Sequence, residues 1–290
     1  MTRTAPVTVV IPAFNAGEYL GVTLDAIREQ TVVPERVVVV DDGSSDNTVE
    51  VAKGFGVDVV SQDQRGPGAA RNRGIELAET EFVAFCDADD WYVPDKIERA
   101  VSQLEDLGAA CSATDAWIVR GDRIEGRKNE QRPVPNVLTL EFLLRGNPIV
   151  CSSVVARRQA VIDAGCFDES PELVATEDYD LWLRMSVREP IAYSAKAMTF
   201  YRVHDGSLSA NTRFLRGVDT ILGRIATQHE GEAHFQNLIK RRRADVRLDL
   251  AWDMLGEGRF DEARKVIAEA QQLTPTWKGF KMRLRTMLKR

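Results

Sequence analysis

Val37-Val38-Val39-Val40-Asp41-Asp42-Gly43-Ser44-Ser45-Asp46 decides how this chain is read. Four β-branched residues with no polar position between them read as a strand buried on both faces. The run stops at two carboxylates and a turn-forming Gly-Ser-Ser. A second run of this kind, Val7–Ile11, lies upstream and is expected to end at Pro12. Between them, after Gly17, Leu20, Leu24 and Ile27 fall at helical spacing with Thr23. Downstream, Ser44, Ser45 and Asp46 offer N-caps for a helix to about Gly54, and Val57–Val60 is a third strand. This βαβαβ order predicts a parallel sheet with right-handed crossovers. Ligands of such sheets bind outside the carboxyl ends of the strands, which is where the residues past Ile11 and Val40 stand.

The pattern continues. Gly66-Pro67-Gly68 is a loop, a helix follows from Ala69 to Glu79, and Phe82–Cys86 is a buried strand that ends in Asp87-Ala88-Asp89-Asp90. Pro94 suits the first turn of a helix whose Ile97, Ala100, Val101 and Leu104 share one face. Residues 109–120 read as a strand, and 121–136, charged and with two prolines, as a surface loop. Ile149–Ala156 reads as a strand, Thr176–Val187 as a helix and Met198–Val203 as a last strand. From about residue 211 helical periodicity takes over. An α/β domain over 1–210 and a helical extension over 211–290 are therefore expected.

Composition narrows the function classes. The chain has 290 residues, 44% hydrophobic and 28% charged, which is ordinary for a globular protein. No apolar run approaches the ~18 residues of a membrane span. Met1-Thr2-Arg3-Thr4 lacks signal-peptide architecture, and Cys86, Cys111, Cys151 and Cys166 form no C-x-x-C pair. Both point to a reducing, cytoplasmic setting. Residues 1–210 carry 21 basic and 34 acidic side chains, and residues 211–290 carry 17 and 10. An acidic body argues against a nucleic-acid partner, because phosphate neutralisation needs cationic surface.

The carboxylates collect in three places. Asp41-Asp42 closes a buried strand, where an Asp can organise its own turn or accept a hydrogen bond from a nucleoside. Asp87-Ala88-Asp89-Asp90 puts three acids in four residues, which repel unless a cation or water compensates, though one of them could cap the next helix. Hard oxygen donors of this kind favour Mg²⁺ or Mn²⁺. Glu177-Asp178, with Asp180 behind, opens a helix and also complements its dipole. His204 follows a strand end, where an imidazole can ligate metal or bind phosphate. Arg65, Arg71 and Arg73 flank a glycine-rich turn, able to meet phosphate oxygens or to stay solvated.

Val9-Val10-Ile11-Pro12-Ala13-Phe14-Asn15, Val39–Asp46, Gly68-Ala69-Ala70-Arg71-Asn72, Asp87-Ala88-Asp89-Asp90 and Glu177–Leu183 together resemble family 2 glycosyltransferases. So does Tyr201-Arg202-x-His204-x-x-Ser207-x-Ser209. The likeness covers about residues 5–210, with the motifs in the family's order. It implies a GT-A fold, with a Rossmann-like, mostly parallel sheet flanked by helices. It also implies inverting transfer of sugar from a nucleotide diphosphate sugar, UDP-linked by preference, to a glycan or lipid-linked acceptor. By position, Pro12, Ala13, Phe14, Asn15 and Asp42 would line the nucleoside pocket, with Asp41 supporting Asp42. Arg71 would serve the donor phosphates. Asp87 and Ala88 would face the ribose or donor sugar, and Asp89 would ligate Mn²⁺ or Mg²⁺ with His204. Asp178 would be the catalytic base, oriented by Glu177, and Trp182 would lie near the acceptor. Residues 121–136 or 205–213 are the candidate closing loops. A haloacid dehalogenase-type phosphatase, a nucleotidyltransferase and a non-catalytic nucleotide- or glycan-binding module are the rivals.

In the extension, Leu250, Ala251, Met254, Ala263, Ile267 and Ala270 resemble one tetratricopeptide-like helix pair, or equally a plain helical hairpin. Lys278–Arg290 sets Lys281, Arg283, Arg285, Lys289 and Arg290 beside Phe280, Met282, Leu284, Met287 and Leu288. Such a segment can lie on an anionic membrane or fray in solvent. Oligomeric state is not legible.

Overall fold

The computed structural model describes residues 3–204 and 212–288, without the side chains at 212, 213, 285, 287 and 288. Ser207, Ser209, Lys289, Arg290 and most of the 205–213 loop lie outside the described residues.

The β-branched runs form the centre of a mixed sheet. Its strands are β1 (Arg3–Ala13), β2 (Val32–Asp41), β3 (Asp58–Ser61), β4 (Phe82–Phe85), β5 (Trp91–Tyr92) and β6 (Cys111–Arg120). They continue as β7 (Arg123–Arg127), β8 (Val137–Leu138), β9 (Val155–Arg157) and β10 (Ile191–Arg202). The order is β3-β2-β1-β4-β9-β6-β10-β5, with β7 beside β6 and β8 beside β10. β3, β2, β1 and β4 are parallel. β9 runs antiparallel to both β4 and β6, and β10 is parallel to β6. The carboxyl ends of β1, β2, β4 and β10 therefore lie along one rim.

Both faces of the parallel half are covered, which is why its strands lack polar alternation. Val7, Val9, Ile11 and Val39 pack with Leu20, Leu24 and Ile27 of α1 (Leu20–Arg28) and with Ala52 of α2 (Thr48–Gly54). The same cluster takes Ile97, Ala100, Val101 and Leu104 from α4 (Lys96–Leu107). On the opposite face Val38 and Val40 pack with Ala70 and Leu77 of α3 (Pro67–Leu77). A Cβ on Gly74 of α3 would stand 2.2 Å from Val10 Cγ1, so only glycine allows this approach to β1.

The remaining helices are α5 (Leu140–Leu143), α6 (Arg158–Asp163), α7 (Glu177–Arg188), α8 (Thr212–Gln228), α9 (Ala233–Gly256), α10 (Phe260–Leu273) and α11 (Trp277–Leu288). Two compact units emerge among the described residues. One holds the chain up to Leu140, Pro148–Glu169 and Glu177 through His204. The other holds α8 to α11 together with Glu141–Asn147 and Ser170–Thr176. The two short segments join the helices for local reasons. Glu141 pairs with His234 at 3.3 Å and Glu172 with Arg224 at 3.3 Å, while Gly217 sits so close to Thr176 that a Cβ would meet its Oγ1 at 2.4 Å. Inside this unit Leu250, Ala251 and Met254 of α9 bury against Ala263, Ile267 and Ala270 of α10 and Met282 of α11.

Several local expectations are corrected. Pro12 lies within β1 rather than ending it, paired with Val40; on the β4 side the pairing stops at Val10, so its missing N–H leaves no bond unmade. The N-cap of α2 is Asn47, although Asp46 Oδ1 accepts from the Thr48 N–H at 3.0 Å. Part of 121–136 is a strand, β7, that folds back on β6 through Gly121 at φ +58°. The apolar run at 149–156 is interrupted by a 3₁₀ turn over Cys151–Ser153, so only its end reaches β9. β10 starts at Ile191, ahead of the expected Met198.

Candidate active site

The loops at the rim are held to one another by short side chains. After β1, Asn15 sits at φ 49°, a left-handed conformation that asparagine tolerates. Its N–H donates to Ser44 Oγ at 2.9 Å, and its Oδ1 accepts from the Ser45 N–H at 2.8 Å. Ala16 N–H donates to Thr48 Oγ1, and Gly17 N–H to Asp46 Oδ2. Asp41 Oδ1 accepts from the Ser44 N–H at 3.0 Å. Pro12 and Ala13 are buried beneath this rim, whereas Phe14 is 46% exposed and Asn15 is exposed.

Asp42 is buried and accepts from Gln62 Nε2 at 2.8 Å, Arg65 N–H at 2.9 Å and Gly66 N–H at 2.7 Å. The loop it holds leads through Gly66, at φ +94°, into α3. α3 in turn delivers Arg71. The Arg71 guanidinium is buried, donating through one terminal nitrogen to Glu177 Oε1 at 2.7 Å and through the other to Asp87 Oδ1 at 2.6 Å. It lies over the Phe167 ring, 5.4 Å from the centroid. Arg71 thus joins the acid cluster after β4 to the first turn of α7, with Asp87 and Glu177 90 positions apart in the sequence. Its Nε and Glu177 Oε2 are buried without a hydrogen-bond partner among the described residues. The two flanking arginines do not join it: Arg65 pairs with Glu169 and Arg73 with Glu76.

The three aspartates after β4 have separate surroundings. Asp87 takes Arg71 on its side chain, while its N–H donates to Ser152 Oγ at 2.9 Å. Asp89 Oδ2 lies 2.9 Å from His204 Nε2. Asp90 is fully buried, accepting from Ser152 Oγ and from the Arg202 N–H at 2.9 Å. Burial and the neighbouring carboxylates push the Asp90 carboxyl well up. Asp89 is raised by burial and by Asp87, with His204 opposing. Ala88 is buried and accepts from Thr23 Oγ1 at 2.9 Å.

Asp178 is half-buried beside Glu177, and its Oδ1 accepts from the Tyr179 N–H at 2.6 Å. Burial first, and Glu177 second, push its carboxyl up to about 7, with Arg71 opposing. That places its titration where a general base works. Asp180 is turned to the helix instead, paired with Arg184 at 2.8 Å.

Two expected positions are corrected. Arg71, expected at the donor phosphates, is buried with both terminal nitrogens held by Glu177 and Asp87. Trp182 is fully buried against Phe85 and Phe167, at 6.3 and 6.2 Å between ring centroids, so it supports α7 from below and cannot touch an acceptor. The sequence assigned no place in the site to four residues. Ser152 is hidden in a run that looks like a plain strand. Arg202 donates from Nε to the Asp89 carbonyl at 3.1 Å and is sandwiched over Tyr19 and Trp91, 4.9 and 4.8 Å from their centroids. Tyr19 stacks on His204 at 5.4 Å. Asp90 holds the end of β10. Asp90 and Arg202 lay inside quoted motifs, whereas Ser152 and Tyr19 did not.

Among the described residues no group of three or more His, Cys, Asp or Glu is arranged to hold a metal ion by itself. Asp89 and His204 supply two donors. Mg²⁺ and Mn²⁺ commonly take few protein ligands and complete their shell with water and substrate phosphate. The pair therefore fits a cation shared with a diphosphate, not a closed protein cage.

Known proteins share the family and the fold. The sequence model of Glycosyl transferase family 2 matches residues 8–165. UDP-Glc:alpha-D-GlcNAc-diphosphoundecaprenol beta-1,3-glucosyltransferase WfaP from Escherichia coli is 27% identical over 210 residues, 71% of this chain and 80% of WfaP. Among solved structures, S. aureus TarS 1-349 superposes with a TM-score of 0.70 at 20% identity, over 93% of this chain and 81% of that 1-349 segment. TarS has also been solved with UDP. Mannosyltransferase PcManGT from Pyrobaculum calidifontis, in complex with GDP-Man and Mn²⁺, superposes at 0.63 with 18% identity over 99% of this chain and 80% of the other. These likenesses establish the GT-A fold. The chain spans less than two thirds of the length of several curated relatives it matches.

Proposed function

Because this chain belongs to glycosyl transferase family 2, we propose that it moves a sugar from a UDP-sugar to a hydroxyl of a glycan or lipid-linked acceptor, with inversion at the anomeric carbon. The observation that carries this reading is the Arg71 bridge, which brings Asp87 and Glu177, far apart in sequence, to one rim beside Asp178.

Phe14, exposed past the end of β1, offers a face for the nucleobase over Pro12, Ala13 and Asn15. A carboxylate has about four acceptor positions. Asp42 spends three on the 62–66 loop, leaving one for a base N–H, while Asp41 holds the turn beside it. Asp87 and Ala88 face the ribose and donor sugar. Asp89 and His204 would hold Mn²⁺ or Mg²⁺, whose charge offsets that gathering on the leaving diphosphate. Arg202, clamped between Tyr19 and Trp91, fixes the backbone of Asp89.

Asp178 takes the proton from the acceptor hydroxyl as that oxygen attacks the anomeric carbon from the face opposite the leaving group. The C–O bond to the diphosphate breaks in the same displacement, so configuration inverts and no covalent nucleophile is used. Glu177, fixed by Arg71, raises the proton affinity of Asp178 without competing for the acceptor. Asp178→Asn keeps the shape and removes the base. Sugar transfer is expected to fall about 10²- to 10⁴-fold, with UDP affinity measured by calorimetry unchanged. Full transfer by Asp178→Asn would refute the assignment.

A further inference from the structure

Two faces of α11 are apolar, and only one is used. Met282 is buried in the helical unit, and Gly279 approaches α10 and α9 so closely that a Cβ would meet Gln271 Nε2 at 1.7 Å and Leu248 at 3.3 Å. These positions dock the helix. At 100° per residue, Trp277, Phe280 and Leu284 fall on the opposite side. All three are exposed, at 68%, 47% and 46%. Trp277 and Phe280 stack at 5.3 Å between centroids, forming one contiguous apolar surface rather than scattered residues. No helix among the described residues is long and apolar enough to cross a membrane.

The charges on α11 itself have one sign. Lys278, Lys281 and Arg283 are exposed on α11, and the sequence from 277 to 290 holds six basic and no acidic residues. Lys281 Nζ lies 5.5 Å from the Trp277 ring centroid, so a cation stands at the edge of the aromatic face. Lys278 pairs with Asp249 of α9, anchoring the helix. Exposed Trp and Phe bordered by lysine and arginine suit the headgroup layer of an anionic bilayer, where the rings enter the acyl boundary and the cations meet lipid phosphates. A protein partner or a second copy of this chain would have to supply an acidic rim, and α11 itself offers none.

We propose that the Trp277–Phe280–Leu284 face of α11 is a peripheral docking surface for anionic phospholipid, with Lys281 and Arg283 as its electrostatic part. The surface would bring the enzyme to a lipid-linked acceptor, and in that respect it rests on the proposed function. Its test needs neither donor nor acceptor, so the two readings fail separately.

The full chain is sedimented with vesicles of phosphatidylcholine alone and with about 30% phosphatidylglycerol. Binding is expected to the anionic vesicles, weakening as salt rises. The Trp277→Ser/Phe280→Ser/Leu284→Ser variant, altered only at exposed positions, is expected to lose about tenfold or more in partition coefficient. Its thermal midpoint should stay unchanged. Lys281→Glu/Arg283→Glu should lose the salt-dependent part. Equal sedimentation of the triple variant and the parent would overturn the proposal. So would no binding by the parent, or a triple variant whose sole defect is a lost dimer in light scattering.

Discussion

Arg71 carries a positive charge in a place with almost no solvent, between Asp87, Glu177 and the Phe167 ring. Those two carboxylates hold its guanidinium firmly protonated. Removing it would leave two acids facing each other without compensation. Arg71→Ala is therefore expected to cost about 3–5 kcal/mol in urea unfolding, and Arg71→Lys, lacking the fork, most of that. A loss below about 1 kcal/mol would mean the bridge is not formed. Asp178 makes the complementary prediction. Its neighbours are Glu177, Arg71 and Asp87, and burial with Glu177 holds its carboxyl at about 7. Transfer should rise with pH through about 7 as the base ionises, then level off. For stability the sign is opposite. The native state keeps a proton that the unfolded chain releases at ordinary aspartate values, so this contribution is lost as pH rises through about 7. Asp178→Asn should raise the melting temperature more at pH 8 than at pH 5. The same shift at both would show that Asp178 titrates normally.

Elements explain what was legible and what was not. β1, β2 and β4 were readable because their apolar runs are buried on both faces, and β3, half-buried at the sheet edge, by its pair of valines. Ile149–Ala156 carries the same apolar signal, yet Ser152 and Ser153 turn it into a 3₁₀ segment. The partners of Ser152, Asp90 and the Asp87 N–H, are over 60 residues away and invisible to any local window. Trp182 was placed by motif at an acceptor, but at helical phase it falls on the buried side of α7 with Phe85 and Phe167 beneath it. The charge of residues 121–136 hid a hairpin, since β7 is paired to β6 on one edge and mostly exposed elsewhere. Packing between elements is equally unforgiving at Gly74. Its absent side chain lets α3, which carries Arg71, lie against Val10. Gly74→Ala is expected to destabilise by about 1–3 kcal/mol through overpacking and to weaken transfer by shifting Arg71. Unchanged stability would contradict the contact.

Across the whole molecule, Asp41–Asp42 and Asp87–Asp90 lie along one sheet rim because β1, β2, β4 and β10 all end there. The sequence motifs carried the list of candidate residues, and parallel topology carried their common rim. Neither carried the individual partners: that Asp42 organises the 62–66 loop, that Asp90 anchors β10, or that Arg202 is clamped by Tyr19 and Trp91. Those depend on tertiary distances. The helical unit was legible as helices, but its two borrowed segments were not, because Glu141 and Glu172 find their partners only after folding. The measurement that tests the central claim most directly is calorimetric titration of UDP into the full chain, with and without Mn²⁺, beside Asp89→Asn. The account predicts binding that Mn²⁺ strengthens about tenfold or more, with the metal effect abolished by Asp89→Asn. UDP binding indifferent to both Mn²⁺ and Asp89 would contradict it.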